Sequence, residues 1–167
     1  GSQIALLPAM TAEGKPRVAR NYEFNPEAED FCLARTSVDG RYAHLGTTVL
    51  FFGRDDGINE HGLSVTMSSC GFPVGALPDM GPPRIKGLQF WAVIRTLLEN
   101  CRDVYEALAY LEGMPIAYNL NLLLADKGGR AALFETLDGA SAFKEIGPES
   151  GEKMLWATNH AVLPDLM

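Results

Sequence analysis

Few side chains in this 167-residue sequence are equipped to attack a carbonyl or to hold a metal. The thiols are Cys32, Cys70 and Cys101, and the imidazoles are His44, His61 and His160. A thiol beside an imidazole is the simplest nucleophile–base pair, and Cys70 with His61 is the nearest candidate. The two stand at opposite ends of one expected strand, and a strand that rises about 3.3 Å per residue holds them apart. A Ser-His-Asp arrangement meets the same objection, with no G-x-S-x-G elbow to present its serine. The histidines are scattered and the cysteines lack C-x-x-C spacing, so neither a metal centre nor a disulfide framework is indicated. The cysteines read as small buried hydrophobes. Gly128-Gly129-Arg130 reads as a turn and no phosphate loop, and no cofactor is indicated. What remains is Arg17-Val18-Ala19-Arg20-Asn21-Tyr22-Glu23-Phe24, where a cation, an amide and a carboxylate fall within four positions. An exposed ion pair there would contribute little to stability. An active site would use Arg20 and Glu23 as a cation and a carboxylate fixed by the backbone.

The elements that must position these residues follow from periodicity. Residues 4–7 and 17–24 are β-like runs around the turn-rich Thr11-Ala12-Glu13-Gly14-Lys15-Pro16, which predicts a hairpin. Residues 25–45 are polar and irregular. Residues 46–53 predict a strand, and Arg54-Asp55-Asp56-Gly57-Ile58-Asn59-Glu60-His61-Gly62 a turn. Residues 62–69 alternate Leu63, Val65 and Met67 with small polar residues, as a half-buried strand does. Residues 71–84, rich in glycine and proline, predict a loop. A helix is expected over 87–99 from the spacing of Leu88, Trp91, Ala92, Ile94 and Leu98, and a second over 104–111 behind an Asp103 N-cap. Strands return at 118–126, 130–137, 141–146 and 153–159, the first two joined by a turn at Asp126-Lys127-Gly128-Gly129. Strands, two helices, then strands imply an α+β fold of antiparallel sheet with helices packed on it.

Composition bounds the function. The length suits one domain spanning residues 1–167 with a real core. Hydrophobic residues make up 47% and charged residues 21%, an ordinary globular balance. A net charge of −7 without a basic run argues against nucleic acid as partner. No apolar run reaches the roughly 18 residues of a membrane span.

Five segments occur in a telling order: Ser2-Gln3-Ile4; Arg20-Asn21-Tyr22-Glu23; Asp56-Gly57-Ile58-Asn59-Glu60-His61-Gly62-Leu63-Ser64-Val65; Leu124-Ala125-Asp126 with Gly129 and Phe134-Glu135; and Ala157-Thr158-Asn159-His160. Their succession resembles the N-terminal-nucleophile (Ntn) amide hydrolases of the choloylglycine hydrolase group, most closely the acyl-coenzyme A:6-aminopenicillanic acid acyltransferase branch. The residues from Gly87 to Leu108 also resemble that branch's helix pair.

The resemblance implies an αββα sandwich, represented here by its N-terminal part. It implies hydrolysis or transfer of an acyl group at a linear, non-peptide amide through an N-terminal cysteine. A small amide or acyl-coenzyme A-type substrate follows from it. Arg20 matches the arginine beside the nucleophile and Asn159 a donor to the oxyanion. Glu23 falls where the family has Asp, as a longer carboxylate that would bind the terminal ammonium. Ser68 and Ser69 lie where the bile-salt-cleaving branch has Asn, and are expected near the substrate. His160 is expected to be structural, while Gly57, Gly62 and Asn59 serve backbone needs.

Position 1, expected to hold the nucleophile, is Gly1. It reads as a replaced cysteine, as a remnant left where a leader and its cysteine were removed, or as a one-residue extension before Ser2. The chain as given is therefore expected to lack the reactive thiol and to be inactive. A family domain serving binding or assembly is the alternative. Relatives continue beyond residue 167, so open apolar faces are expected to favour self-association or pairing with a missing C-terminal half.

Overall fold

The computed structural model describes residues 1–30, 32–70 and 84–167. The expected loop at 71–84 thus lies, but for its last residue, outside the described residues. The described strands form two sheets. Three strands, β1 (Ser2–Leu6), β2 (Arg17–Asn21) and β11 (Met154–Ala157), lie in the order β11-β1-β2 and are antiparallel throughout. The larger sheet holds β3 (Leu33–Thr36), β4 (His44–Val49), β5 (Gly53–Arg54), β6 (Gly57–Asn59), β7 (Leu63–Ser69), β8 (Leu120–Asp126), β9 (Ala131–Leu137) and β10 (Ala140–Ile146). Its order is β10-β9-β8-β7-β6-β4-β3, with β5 paired to β4. Two helices, α1 (Phe90–Asn100) and α2 (Val104–Leu111), complete the α+β architecture.

Strand β8 explains the layering. All seven of its residues are buried, as a strand covered on both faces must be. Leu120, Leu122 and Leu124 turn to one side and pack with Leu63, Val65 and Met67 of β7 against Val93, Ile94, Leu97 and Leu98 of α1. Leu123 and Ala125 turn to the other and meet Ala5, Leu155 and Ala157 of the small sheet and Leu7 just past β1. Helices, large sheet and small sheet are therefore stacked as three layers with two apolar seams. Each fully buried leucine contributes about 1.5–3 kcal/mol.

The expected elements are present with local differences. Residues 25–45, read as irregular, contain β3 and the start of β4, because alternation there is short and mostly polar. The run 46–53 does not continue as one strand: Leu50 and Phe51 take positive φ of 53° and 63°, ending β4. Helix α1 starts at Phe90 rather than 87. A Cβ on Gly87 would lie 2.3 Å from the Pro115 carbonyl oxygen, and Leu88 exchanges backbone hydrogen bonds with Pro115 and Ala117. Asp103 caps α2 as expected, accepting from Glu106 N at 2.8 Å.

For the site, the decisive feature is the small sheet. Its middle strand is β1, so the backbone leading to residue 1 is clamped between Arg20-Asn21 on one side and Ala157 on the other.

Candidate active site

Register puts Gln3 opposite Arg20 and Ala157, and all three lie on the buried side of the small sheet. Gln3 is buried and saturated: Nε2 donates to Ser68 Oγ (3.0 Å) and the Asn121 carbonyl (2.9 Å), and Oε1 accepts from Thr66 Oγ1 (2.5 Å). Ser68 Oγ in turn donates to the Thr158 carbonyl at 2.6 Å. This polar seam ties β1, β7, β8 and the chain after β11 into one frame. A buried network with its groups paired holds a single geometry.

Beyond that frame the N-terminal amine of Gly1 donates to Asn159 Oδ1 at 2.6 Å. The Asn159 side chain is itself anchored, Nδ2 donating to the Ser69 carbonyl at 2.9 Å. One amide hydrogen is thereby used and the second is left for another acceptor. A Cβ on Gly1 would meet the Asn21 carbonyl oxygen at 3.2 Å and Ser68 Cβ at 3.7 Å. A side chain at residue 1 therefore needs only a few tenths of an ångström of adjustment.

Arg20 lies beside this position with 7% of its side chain exposed. Nε donates to the Met67 carbonyl at 2.8 Å and Nη1 to Asp56 Oδ2 at 3.0 Å, and the guanidinium carbon sits 4.6 Å from the Tyr22 ring centre. Asp56 is held by Thr47, whose N–H and hydroxyl donate to Oδ1 at 3.1 and 2.7 Å. The cation is thus fixed through a carboxylate that the sequence suggested only as part of a turn.

Gly1, Arg20, Tyr22, Met67 and Asn159 line a cavity of about 430 Å³ together with Glu23, Glu29, Asp55, Ser69, Phe90 and Tyr118. A larger, more open cleft of about 550 Å³ also touches Arg20 and Asp56, but Gly1 does not line it. Glu23 lines the smaller cavity with its carboxylate accepting from Asn21 Nδ2, while the described bond of the ammonium runs to Asn159. The pairing of Glu23 with the ammonium, expected from sequence, is not what this geometry presents. Of the two serines, Ser68 is spent on the frame, whereas Ser69 Oγ reaches Tyr118 OH at 3.0 Å across the cavity wall. His160 hydrogen-bonds Thr158 through Nδ1 at 2.9 Å.

Cys70 is fully buried, and burial together with the Glu135 charge pushes its thiol up to about 11. That is the wrong direction for a nucleophile. His61 stacks edge-on against Tyr42 instead, with ring centres 4.4 Å apart. Among the described residues no cluster of His, Cys, Asp or Glu could hold a metal ion, and no helix is long and apolar enough to cross a membrane.

Two carboxylates escaped the sequence reading of the site. Asp55 is buried, lines the cavity, and is pushed up to about 7 by desolvation, which outweighs the Arg20 charge. Glu135, fully buried on β9, accepts from Val162 N (3.0 and 3.1 Å) and Leu163 N (2.9 Å), which fixes the segment carrying Asn159. Glu135 had a signal: it is the one charge between Ala131 and Leu137. Asp55 had none beyond the doubled aspartate.

The family model described as acyl-coenzyme A:6-aminopenicillanic acid acyl-transferase matches residues 10–166. No curated protein sequence matches significantly. Among solved structures, penicillin V acylase from Agrobacterium tumefaciens superposes with a TM-score of 0.64 at 18% identity, over 99% of this chain and 54% of that one. A variant of the conjugated bile acid hydrolase from Clostridium perfringens gives 0.62 at 15%, over 99% and 55%. The Caenorhabditis elegans N-acylethanolamine-hydrolyzing acid amidase ortholog gives 0.62 at 16%, over 97% and 71%. The chain thus shares their fold and spans about half the length of the first two.

Proposed function

Because this chain belongs to the acyl-coenzyme A:6-aminopenicillanic acid acyl-transferase family, we propose that it is built for hydrolysis or transfer of an acyl group at a linear, non-peptide amide bond. The reacting position is residue 1. The observation that carries this reading is the N-terminal amine: it is held at 2.6 Å by Asn159, on the rim of a cavity that Arg20 also lines. Acyl-amide cleavage also links the structural neighbours, a penicillin V acylase, a bile acid hydrolase and an N-acylethanolamine-hydrolyzing amidase.

With a thiol at residue 1, the parts would act as follows. The α-amine, with an ordinary pKa of about 7.7–8.0, takes the thiol proton. The Arg20 guanidinium favours the resulting thiolate. Sulfur attacks the amide carbon, and the oxygen becomes an anion that the second Asn159 N–H can meet. The C–N bond breaks as the α-ammonium returns a proton to the leaving amine, giving a thioester. Water or another amine then attacks the thioester carbonyl and releases the acyl group. Ser69 and Tyr118 are proposed to contact substrate, and Glu23 to bear on the cavity mouth.

The alternative reading is a family domain that binds a ligand without turning it over. Gly1→Cys separates the two. With the initiator methionine removed, the variant is expected to release p-nitroaniline from octanoyl-p-nitroanilide and to gain one octanoyl mass on residue 1. Failure to form that adduct in a folded variant would leave only the binding reading.

A further inference from the structure

Three carboxylates reach the cavity beside Gly1, namely Glu23, Glu29 and Asp55. Against them stand one guanidinium and the terminal amine. The guanidinium is already paired with Asp56, and the amine is bound to Asn159. Glu29 accepts from the Tyr22 hydroxyl and Glu23 from Asn21. Asp55 differs from both. It is 3% exposed, and its Oδ1 is buried with no hydrogen-bond partner. Its backbone N–H donates to the Thr47 carbonyl at 3.1 Å, which ties the bend between β5 and β6 to β4. A buried carboxyl oxygen without a donor is costly, and the residue that carries it lines the cavity. Much of the remaining wall is apolar: Val49, Met67, Phe90 and the Tyr118 ring. Carbon-lined walls with a carboxyl lacking a donor suit an alkylammonium group; an anionic group would meet three carboxylates, offset only by a guanidinium already paired with Asp56 and by the terminal amine on Asn159.

We propose that this cavity takes an amide substrate bearing an ammonium group, and that Asp55 is the residue that selects it. The bond to be cleaved rests on the acyl-amide reading above; the cation is read from the cavity alone. Arg20, Glu29, Asp56 and Asp30 act on the Asp55 charge, and Asp55 in turn acts on Tyr22 and Tyr118; Glu23 shares the cavity. The balance leaves Asp55 partly protonated near neutral pH. An arriving ammonium group therefore displaces the proton to solvent as the carboxylate forms. A neutral isostere leaves the proton in place.

The test is calorimetric titration of the chain, unaltered, with three probes of matched length: N-octanoyl putrescine (cationic), N-octanoyl pentylamine (neutral) and N-octanoyl-γ-aminobutyrate (anionic). The cationic probe is expected to bind about tenfold more tightly than the neutral one, the scale of one charge-assisted hydrogen bond. The anionic probe should be the weakest. Near neutral pH, only the cationic probe should release protons, read from the dependence of the heat on buffer ionisation enthalpy. Asp55→Asn should bring the cationic-to-neutral ratio to about one and abolish the release. Equal or tighter binding of the anionic or neutral probe, binding of none, or a cation preference that survives in Asp55→Asn would overturn the proposal. Should the variant fail to fold, absence of proton release in the unaltered chain is decisive against it. Failure of Gly1→Cys to form an adduct with a neutral anilide leaves this titration readable, so the two readings fail separately.

Discussion

Residue by residue, the site divides into groups the fold satisfies and one that it does not. Arg20, Gln3, Ser68 and Glu135 all have partners. Asp55 retains a buried oxygen without one, and its carboxyl is raised to about 7 from 3.8. A folded-state pKa above the unfolded value means that the native state binds the proton more tightly. Stability from this group is fully present below about pH 4 and is lost progressively as pH rises to about 7. Asp55→Asn removes that dependence. Chemical denaturation should show the variant and the original alike near pH 4, with the variant gaining stability on the order of a few kcal/mol above pH 7. A constant difference across that range would show that Asp55 is not held protonated by the fold. Arg20 was expected at the site from the Arg20-Asn21-Tyr22-Glu23 segment and the resemblance it carries, and it lines the same cavity as Gly1. Asp55 could not, since consecutive aspartates before a turn do not reveal which one faces inward.

At the level of elements, the site depends on how closely β4, β6 and α1 approach. A Cβ on Gly57 would lie 2.7 Å from Leu98 Cδ1 and 2.8 Å from the Leu45 carbonyl, with Gly46 Cα at 3.4 Å. Gly57→Ala is therefore expected to cost about 1–3 kcal/mol by overpacking and to lower the melting temperature measurably. A variant as stable as the original would mean that these elements yield more easily than their packing implies. The same approach sets Asp56 where it can hold Arg20. Strands 62–69, 118–126 and 130–137 were legible because their alternation or continuous apolarity is long. The short pairs β3 with β4 and β5 with β4 were not, because two to four residues carry too little pattern. The start of α1 was also hidden: its apolar spacing extends back to Leu88, and only the contact of Gly87 with Pro115 explains the delay.

Taken whole, the molecule is three layers whose small sheet presents residue 1 to a cavity between frame and solvent. On the outer side of that sheet, Ile4 pairs with Trp156, which is 50% exposed. The fold class and the order of elements were legible from periodicity, while the family followed from five segments in sequence rather than from any one. The assembly of Gly1, Arg20 and Asn159 around a single point needed the register of β11-β1-β2, which periodicity does not give. A thiol placed at residue 1 reports on that convergence. In Gly1→Cys, the exposed Cys32 is an internal reference and the buried Cys70 and Cys101 are silent controls. Timed iodoacetamide labelling at pH 6.5, read by peptide mass, should modify residue 1 about tenfold faster than Cys32, as a thiolate stabilised by a neighbouring cation does. Replacing Arg20 with Leu should bring the two rates together. Labelling of residue 1 no faster than Cys32, with Arg20 intact and the protein folded, would contradict that convergence.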